Sequence, residues 1–133
     1  MNYKQALGRS DLSLIAGQAM IERGLEPEFS RTALQELKAI THAGQETDPR
    51  VVDMTSWLWC SIDNDDTRDL DQLTVAEKQA DGHIKVWVAV ADVDVLVPKD
   101  SALDAHAKHN TTSVYTSTRI FPMLPDRLCT DLT

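Results

Sequence analysis

Ser61-Ile62-Asp63-Asn64-Asp65-Asp66-Thr67-Arg68-Asp69-Leu70-Asp71-Gln72 is the stretch around which this chain is organised. Five carboxylates, Asp63, Asp65, Asp66, Asp69 and Asp71, fall within nine positions, with Arg68 as the one cation among them. Carboxylates this dense repel one another unless positive charge lies between them. Hard cations such as Mg²⁺ take oxygen ligands, often one or two carboxylates, with water and substrate phosphate completing the shell. The apolar run Trp57-Leu58-Trp59-Cys60 leads in, and a second strand-like stretch leads out. Loops held by rigid strands are where functional groups concentrate. The expectation is therefore a loop that holds a divalent metal and handles phosphate. The alternative is a solvated acidic turn with no ligand, the ordinary fate of a charge run. An EF-hand is excluded in both registers. Counting from Asp63, the position for Gly is Arg68 and that for Glu is Thr74; from Asp65 they are Leu70 and Ala76.

The chain has 133 residues, enough for one domain with a core, and 42% of them are hydrophobic. No apolar run reaches membrane-spanning length, and Met1-Asn2-Tyr3-Lys4-Gln5 lacks the apolar centre of a signal peptide. Cys60 and Cys129 have no Cys-x-x-Cys partner, so neither zinc nor a disulfide framework is expected. These features read as a cytoplasmic protein with free thiols and no membrane association. The formal net charge of −8 runs against a simple nucleic-acid binder, whose basic patch displaces counterions from phosphates. If the partner is a nucleic acid, a metal must supply local positive charge.

Ser10 to Arg23 reads as an amphipathic helix, with Leu12, Ile15, Ala16, Ala19 and Met20 at helical spacing, Ser10 as N-cap and Gly24 as its stop. Ser30 opens a second helix with Ala33, Leu34, Leu37 and Ile40 on one face. The pair reads as a helical hairpin or as half of a helix-turn-helix, and no basic recognition face favours the second. Residues 42–50 form a polar linker with Gly and Pro. Trp57 to Ile62 reads as a buried strand, Leu73 to Lys78 as another, and Ala80-Asp81-Gly82 as a turn. Ile84 to Ala91 reads as a strand entering the centre of a sheet. Ser101 caps a further helix, and Asp126 to Leu132 begins a helical turn. His106 and His109 share a helix face and read as a solvated pair. The fold class is α+β (mixed α/β): a helical segment over 1–45, then part of a mixed sheet with at least one helix over 46–133.

The pattern I-D-x-x-x-(S/T)-x-D-x-D at 62–71 resembles the signature of the ribonuclease II / ribonuclease R family catalytic (RNB) domain. A-V-A-D-V (89–93), S-A-L-D (101–104), T-S-V-Y (112–115), F-P-M-L-P (121–125) and L-C (128–129) keep that family's order and approximate spacing. The resemblance runs from about Asp53 to Thr133 and leaves out the N-terminal helices. It implies a processive, Mg²⁺-dependent (Mn²⁺ also serving) 3′→5′ exoribonuclease that cuts single-stranded RNA to nucleoside 5′-monophosphates. On this resemblance Asp63, Asp69 and Asp71 are metal ligands, Asp71 is the most critical acid and helps activate the attacking water, and Tyr115 contacts the RNA. The family carries a fourth aspartate where this chain has Gln72, which brings an amide oxygen but no charge. The family's catalytic domain also continues, with an arginine and a glutamate of its site, so a remainder is expected beyond Thr133. Two rivals follow from the residues: an RNA-binding remnant impaired by Gln72, and a phosphatase with Asp92 as nucleophile at a strand end, where Leu96 departs from the pattern required.

Overall fold

The structure is a computed structural model that describes residues 8–45 and 48–132. In chain order the elements are helix α1 (Arg9–Glu22), helix α2 (Arg31–Ala39), strand β1 (Gln72–Lys78), strand β2 (Ile84–Val90), a 3-10 turn (Val93–Val95), helix α3 (Ala102–Asn110), strand β3 (Val114–Tyr115), strand β4 (Ile120–Phe121) and helix α4 (Asp126–Thr130). The class is α+β, with small antiparallel sheets. Two compact units share these elements, and neither is continuous in sequence. One joins the N-terminal stretch to Ile40 with Pro98–Pro125; the other joins Thr41–Val97 with the stretch from Asp126. Among the described residues no helix is long and apolar enough to cross a membrane.

In the first unit the helix ends are set by local chemistry. α1 starts slightly earlier than its Ser10 signal, at N-cap Gly8, whose amide donates to the Asp11 carboxylate at 2.9 Å. It ends where Gly24 takes φ 75°, with Leu25 N–H bonded to Met20 O at 3.0 Å and Gly24 N–H to Ile21 O at 2.9 Å. That paired closure needs a left-handed residue, which glycine supplies without steric cost. Ser30 caps α2 through Ala33 N–H (3.1 Å), and Ser101 caps α3 through Asp104 N–H (3.1 Å). α2 packs on α3, and Glu36 of α2 accepts the next two free amides of α3, Ala102 and Leu103, at 3.0 Å each. Met20, Ala33, Leu103, Phe121 and Leu124 are the buried apolar residues of this unit. Of the apolar face expected on α1, Leu12 and Ile15 are exposed and Met20 alone is buried.

His106 and His109 are not a solvated pair. His109 lies 2.7 Å from Gly24 O, and His106 is only 4% exposed. The ring of His106 sits 4.2 Å from that of Phe29, its Nδ1 is 3.1 Å from a Glu26 carboxylate oxygen, and its Nε2 is 3.1 Å from Asn110 Nδ2. Asn110 is oriented by the Glu26 backbone: its Oδ1 accepts Glu26 N–H at 2.9 Å and its Nδ2 donates to Glu26 O at 2.8 Å. Because Nδ2 can only donate, His106 Nε2 must accept, and the ring proton is on Nδ1, facing Glu26. Arg119 adds a second tie, donating to Glu28 and to Pro27 O while its guanidinium lies 4.6 Å over the Phe121 ring. That hydrogen bond holds the Glu28 carboxyl below its ordinary range.

The second unit is built on the β1–β2 hairpin, in antiparallel register from Gln72↔Val90 to Lys78↔Ile84. Its turn follows the Ala80-Asp81-Gly82 signal: Gly82 has φ 88°, and its amide donates to Gln79 O at 3.1 Å. The hairpin contains both expected strands, but β2 does not run through the centre of a sheet. Among the described residues β1 is its one strand neighbour. The segment Trp57–Ile62 is likewise not a buried strand. The Asp53 carboxylate accepts both the amide (2.9 Å) and the hydroxyl (2.7 Å) of Thr55, Trp57 N–H bonds Met54 O (3.1 Å), and Trp59 Nε1 bonds the same carbonyl (2.9 Å). These bonds curl the chain, so Leu58 and Ile62 stay 91% and 88% exposed and only Cys60 pairs, with Thr74. The indoles use the aromatic content instead: Trp57 meets Trp87 edge-on at 5.3 Å and lies 6.4 Å from Trp59. Val97, Leu128 and Leu132 are buried in this unit.

Candidate functional site: the acidic loop

The acidic stretch is a loop closed at its neck by paired backbone. Cys60 N–H bonds Thr74 O at 2.9 Å and Thr74 N–H bonds Cys60 O at 2.8 Å. Beyond that bridge the two arms separate, and Thr67 N–H closes a turn on Asn64 O at 3.0 Å near the tip. Asp63 and Asp71 stand equally far from the bridge, three positions after Cys60 and three before Thr74. Asp71 is anchored further, since its carbonyl accepts Ala91 N–H at 2.8 Å. Asp69 lies two positions earlier on the same arm, and Gln72 is the first residue of β1, opposite Val90.

The side chains of Asp63, Asp69 and Asp71 are exposed. Among the described residues no three His, Cys, Asp or Glu side chains gather in an arrangement that could hold a metal. Asp69 and Asp71 stand two positions apart on one arm of the loop. The Cys129 thiol on α4 is pushed up from the ordinary thiol range, first by burial and then by the negative charges of Asp126, Asp69 and Asp71. α4 therefore lies within the electrostatic reach of both carboxylates. Cys129 and Asp126 carried no functional signal in the sequence beyond the L-C pair in the resemblance. An oxygen-only donor set suits a hard cation, and magnesium is commonly held by one or two carboxylates. In donor chemistry the Asp69–Asp71 pair fits.

Tyr115 belongs to the other unit, on β3 opposite Ile120, with its side chain exposed. Asp92 follows β2 and precedes the 3-10 turn, with no side-chain hydrogen bond capping that turn.

Comparison with known proteins gives a consistent result. Residues 51–133 match the RNB domain model. Ribonuclease R of Vibrio parahaemolyticus is 38% identical over 99 residues, which cover 71% of this chain and 12% of that protein. Ribonuclease R of Mycoplasma pneumoniae is 31% identical over 135 residues, covering 99% of this chain and 18% of that protein. The structure of Mycoplasma genitalium RNase R in complex with double-stranded RNA superposes with a TM-score of 0.74 at 26% identity, covering 90% of this chain and 21% of that one. This chain thus spans between about a tenth and a fifth of the length of these relatives. With the signature acids, the hairpin that follows them and α4 all inside the matched stretch, the chain belongs to the ribonuclease II / ribonuclease R family, of which the RNB domain is the shared module.

Proposed function

We propose that this chain is a portion of a catalytic domain that hydrolyses single-stranded RNA from its 3′ end, releasing nucleoside 5′-monophosphates with Mg²⁺ or Mn²⁺. The observation that carries the reading is the family match over 51–133, with Asp63, Asp69 and Asp71 all inside it on one loop. Asp63, Asp69 and Asp71 would hold the metal, which when bound supplies positive charge to the phosphate and to the leaving oxygen. Asp71, whose backbone carbonyl accepts Ala91 N–H just before β1, would also help activate the attacking water. Tyr115 would lie against the RNA. The rest of the catalytic domain, with its own basic surface, would supply what a chain of net charge −8 lacks for binding phosphate.

A second reading is favoured by one residue. Gln72 stands where the family has an aspartate, which removes one negative charge from the metal site. A domain altered there could bind RNA without turning it over. Incubation of full-length Vibrio parahaemolyticus ribonuclease R carrying residues 51–133 of this chain with uniformly labelled single-stranded RNA and Mg²⁺ or Mn²⁺ separates the two. The exonuclease reading predicts release of monophosphates, lost in Asp71→Asn while RNA binding persists. Hydrolysis by Asp71→Asn at the original rate would overturn the role of Asp71, and binding without any release would favour the second reading.

A further inference from the structure

Strands β3 and β4 pair over two positions, Val114↔Phe121 and Tyr115↔Ile120. A ladder this short is marginal without outside support. Its faces differ: Phe121 is 1% exposed with half-buried Val114 opposite, while Tyr115 and Ile120 are 69% and 51% exposed. Side chains alternate along a strand, which puts Arg119 on the Phe121 side, and its guanidinium lies 4.6 Å over that ring. The turn between the strands closes on the same residue. Thr116 N–H donates to Arg119 O at 3.1 Å, and Thr116 Oγ1 accepts Arg119 N–H at 3.0 Å. From there the guanidinium reaches out of the hairpin to the connector between α1 and α2, donating to the Glu28 carboxylate and to Pro27 O. The connector is itself held, by Asn110 on both backbone groups of Glu26 and by His109 on Gly24 O. Arg119 thus ties a fixed connector to a hairpin whose outer face carries Tyr115. Pro27 and Glu28 lie outside the RNB match, which begins at residue 51.

We propose that Arg119, clamped by Pro27 and Glu28, is a positioning residue for RNA binding: it sets the angle at which the β3–β4 hairpin presents Tyr115 to a nucleotide, and so makes the N-terminal helical segment part of the RNA site. The inference rests on the reading of Tyr115 as an RNA contact. Arginine suits the task because its planar fork serves a carboxylate and a carbonyl at once while stacking on a ring, which a lysine ammonium does not reproduce. The rival is direct contact of Arg119 with RNA phosphate, and Glu28 separates the two. Neutralising that carboxylate frees the guanidinium, which strengthens a phosphate contact but weakens a brace.

The test measures affinity for fluorescein-labelled single-stranded RNA by anisotropy, with EDTA present so that nothing is hydrolysed. The protein is full-length Mycoplasma pneumoniae ribonuclease R carrying this chain in place of the stretch it matches, because that match covers 99% of the chain and takes in the N-terminal helices. Tyr115→Ala should weaken binding about tenfold, the loss of one stacked base. Arg119→Gln should weaken it about fivefold and Glu28→Gln about twofold, with Arg119→Lys milder than Arg119→Gln. Combined with Tyr115→Ala, neither should weaken it further, since a brace then has nothing to position. In the 133-residue chain, Arg119→Gln should quicken hydrogen exchange of the Thr116 amide about tenfold while the α3 amides keep their rates. Tyr115→Ala at unaltered affinity overturns the reading of Tyr115 and the brace with it. Where Tyr115→Ala does weaken binding, the brace alone is overturned by Glu28→Gln binding as well or better, by losses that add to that of Tyr115→Ala, or by unchanged exchange at Thr116.

Discussion

The Glu36 carboxylate accepts the amide of Leu103 at 3.0 Å, and its other oxygen accepts that of Ala102 at the same distance, so a side chain of α2 closes the N-terminus of α3. With the Ser101 hydroxyl on Asp104 N–H, three amides that a helix start leaves unpaired are satisfied, and a negative charge sits at the positive end of the helix. Glu36→Ala should cost about 1–2 kcal/mol in urea unfolding. Glu36→Gln keeps one acceptor oxygen and should cost roughly half as much. Equal costs for the two variants would show that packing of the side-chain stem, rather than the carboxylate, holds α2 to α3.

The same pair shows where sequence reading reaches its limit. Each helix was legible because its signals are local: Ser30 and Ser101 cap what they precede, and Gly24 stops what it follows. The β1–β2 hairpin was legible for the same reason, through Asp81-Gly82 and the flanking apolar runs. Glu36 on Leu103 and Glu26 on His106 join residues 67 and 80 positions apart, and no spacing rule reaches that far. Trp57–Ile62 failed differently. A short apolar run fits a strand or a curled segment equally well, and the Asp53–Thr55 bonds decided for the curl. At the acidic loop, the spacing of Asp63, Asp69 and Asp71 was readable, while the approach of Cys129 to within electrostatic reach of two of them required the fold.

Asn110 fixes the Glu26 backbone with both ends of its amide and donates to His106 from the same nitrogen. Asn110→Ala leaves a peptide N–H, a carbonyl and an imidazole nitrogen without this partner, and should cost about 3 kcal/mol. Asn110→Asp keeps the acceptor for Glu26 N–H but places an oxygen where two donated bonds are needed, and should be no milder. The geometry also fixes the tautomer of the neutral ring. Nitrogen-15 spectra should show His106 protonated on Nδ1, with Nε2 at an acceptor's shift. A proton on Nε2 would mean that the Asn110 amide is turned, which the two Glu26 bonds forbid.

Thr111 closes α3 in the left-handed region at φ 59°, where a β-branched residue is strained. Asparagine tolerates that conformation better and adds no backbone freedom to the unfolded chain, so Thr111→Asn should stabilise by about 1 kcal/mol. Thr111→Gly removes the strain more fully but loosens the unfolded state, and the net gain should be about 0.5 kcal/mol. Denaturant midpoints of the two variants check the order. A loss of stability in both would mean that the threonine side chain makes a contribution larger than the strain.

Cys129 reports on the acidic loop without any need for turnover. Burial and the charges of Asp126, Asp69 and Asp71 hold its thiol above the ordinary range, so the protonated form is favoured in the fold. A group whose acid form is favoured on folding contributes stability below its unfolded pKa and loses that contribution as pH rises through the folded one. The protein should therefore loosen on the alkaline side through this residue, though only slightly, since the group is part-exposed. Alkylation rates measured against pH, with exposed Cys60 removed as Cys60→Ser, give the titration directly. Asp69→Asn and Asp71→Asn should each lower the apparent pKa of Cys129, because each removes a neighbouring negative charge. Mg²⁺ held by those carboxylates should lower it in the same direction, and EDTA should restore it. If both Asn variants shift the thiol but Mg²⁺ at millimolar concentration does not, the two aspartates share a place beside α4 and hold no metal there.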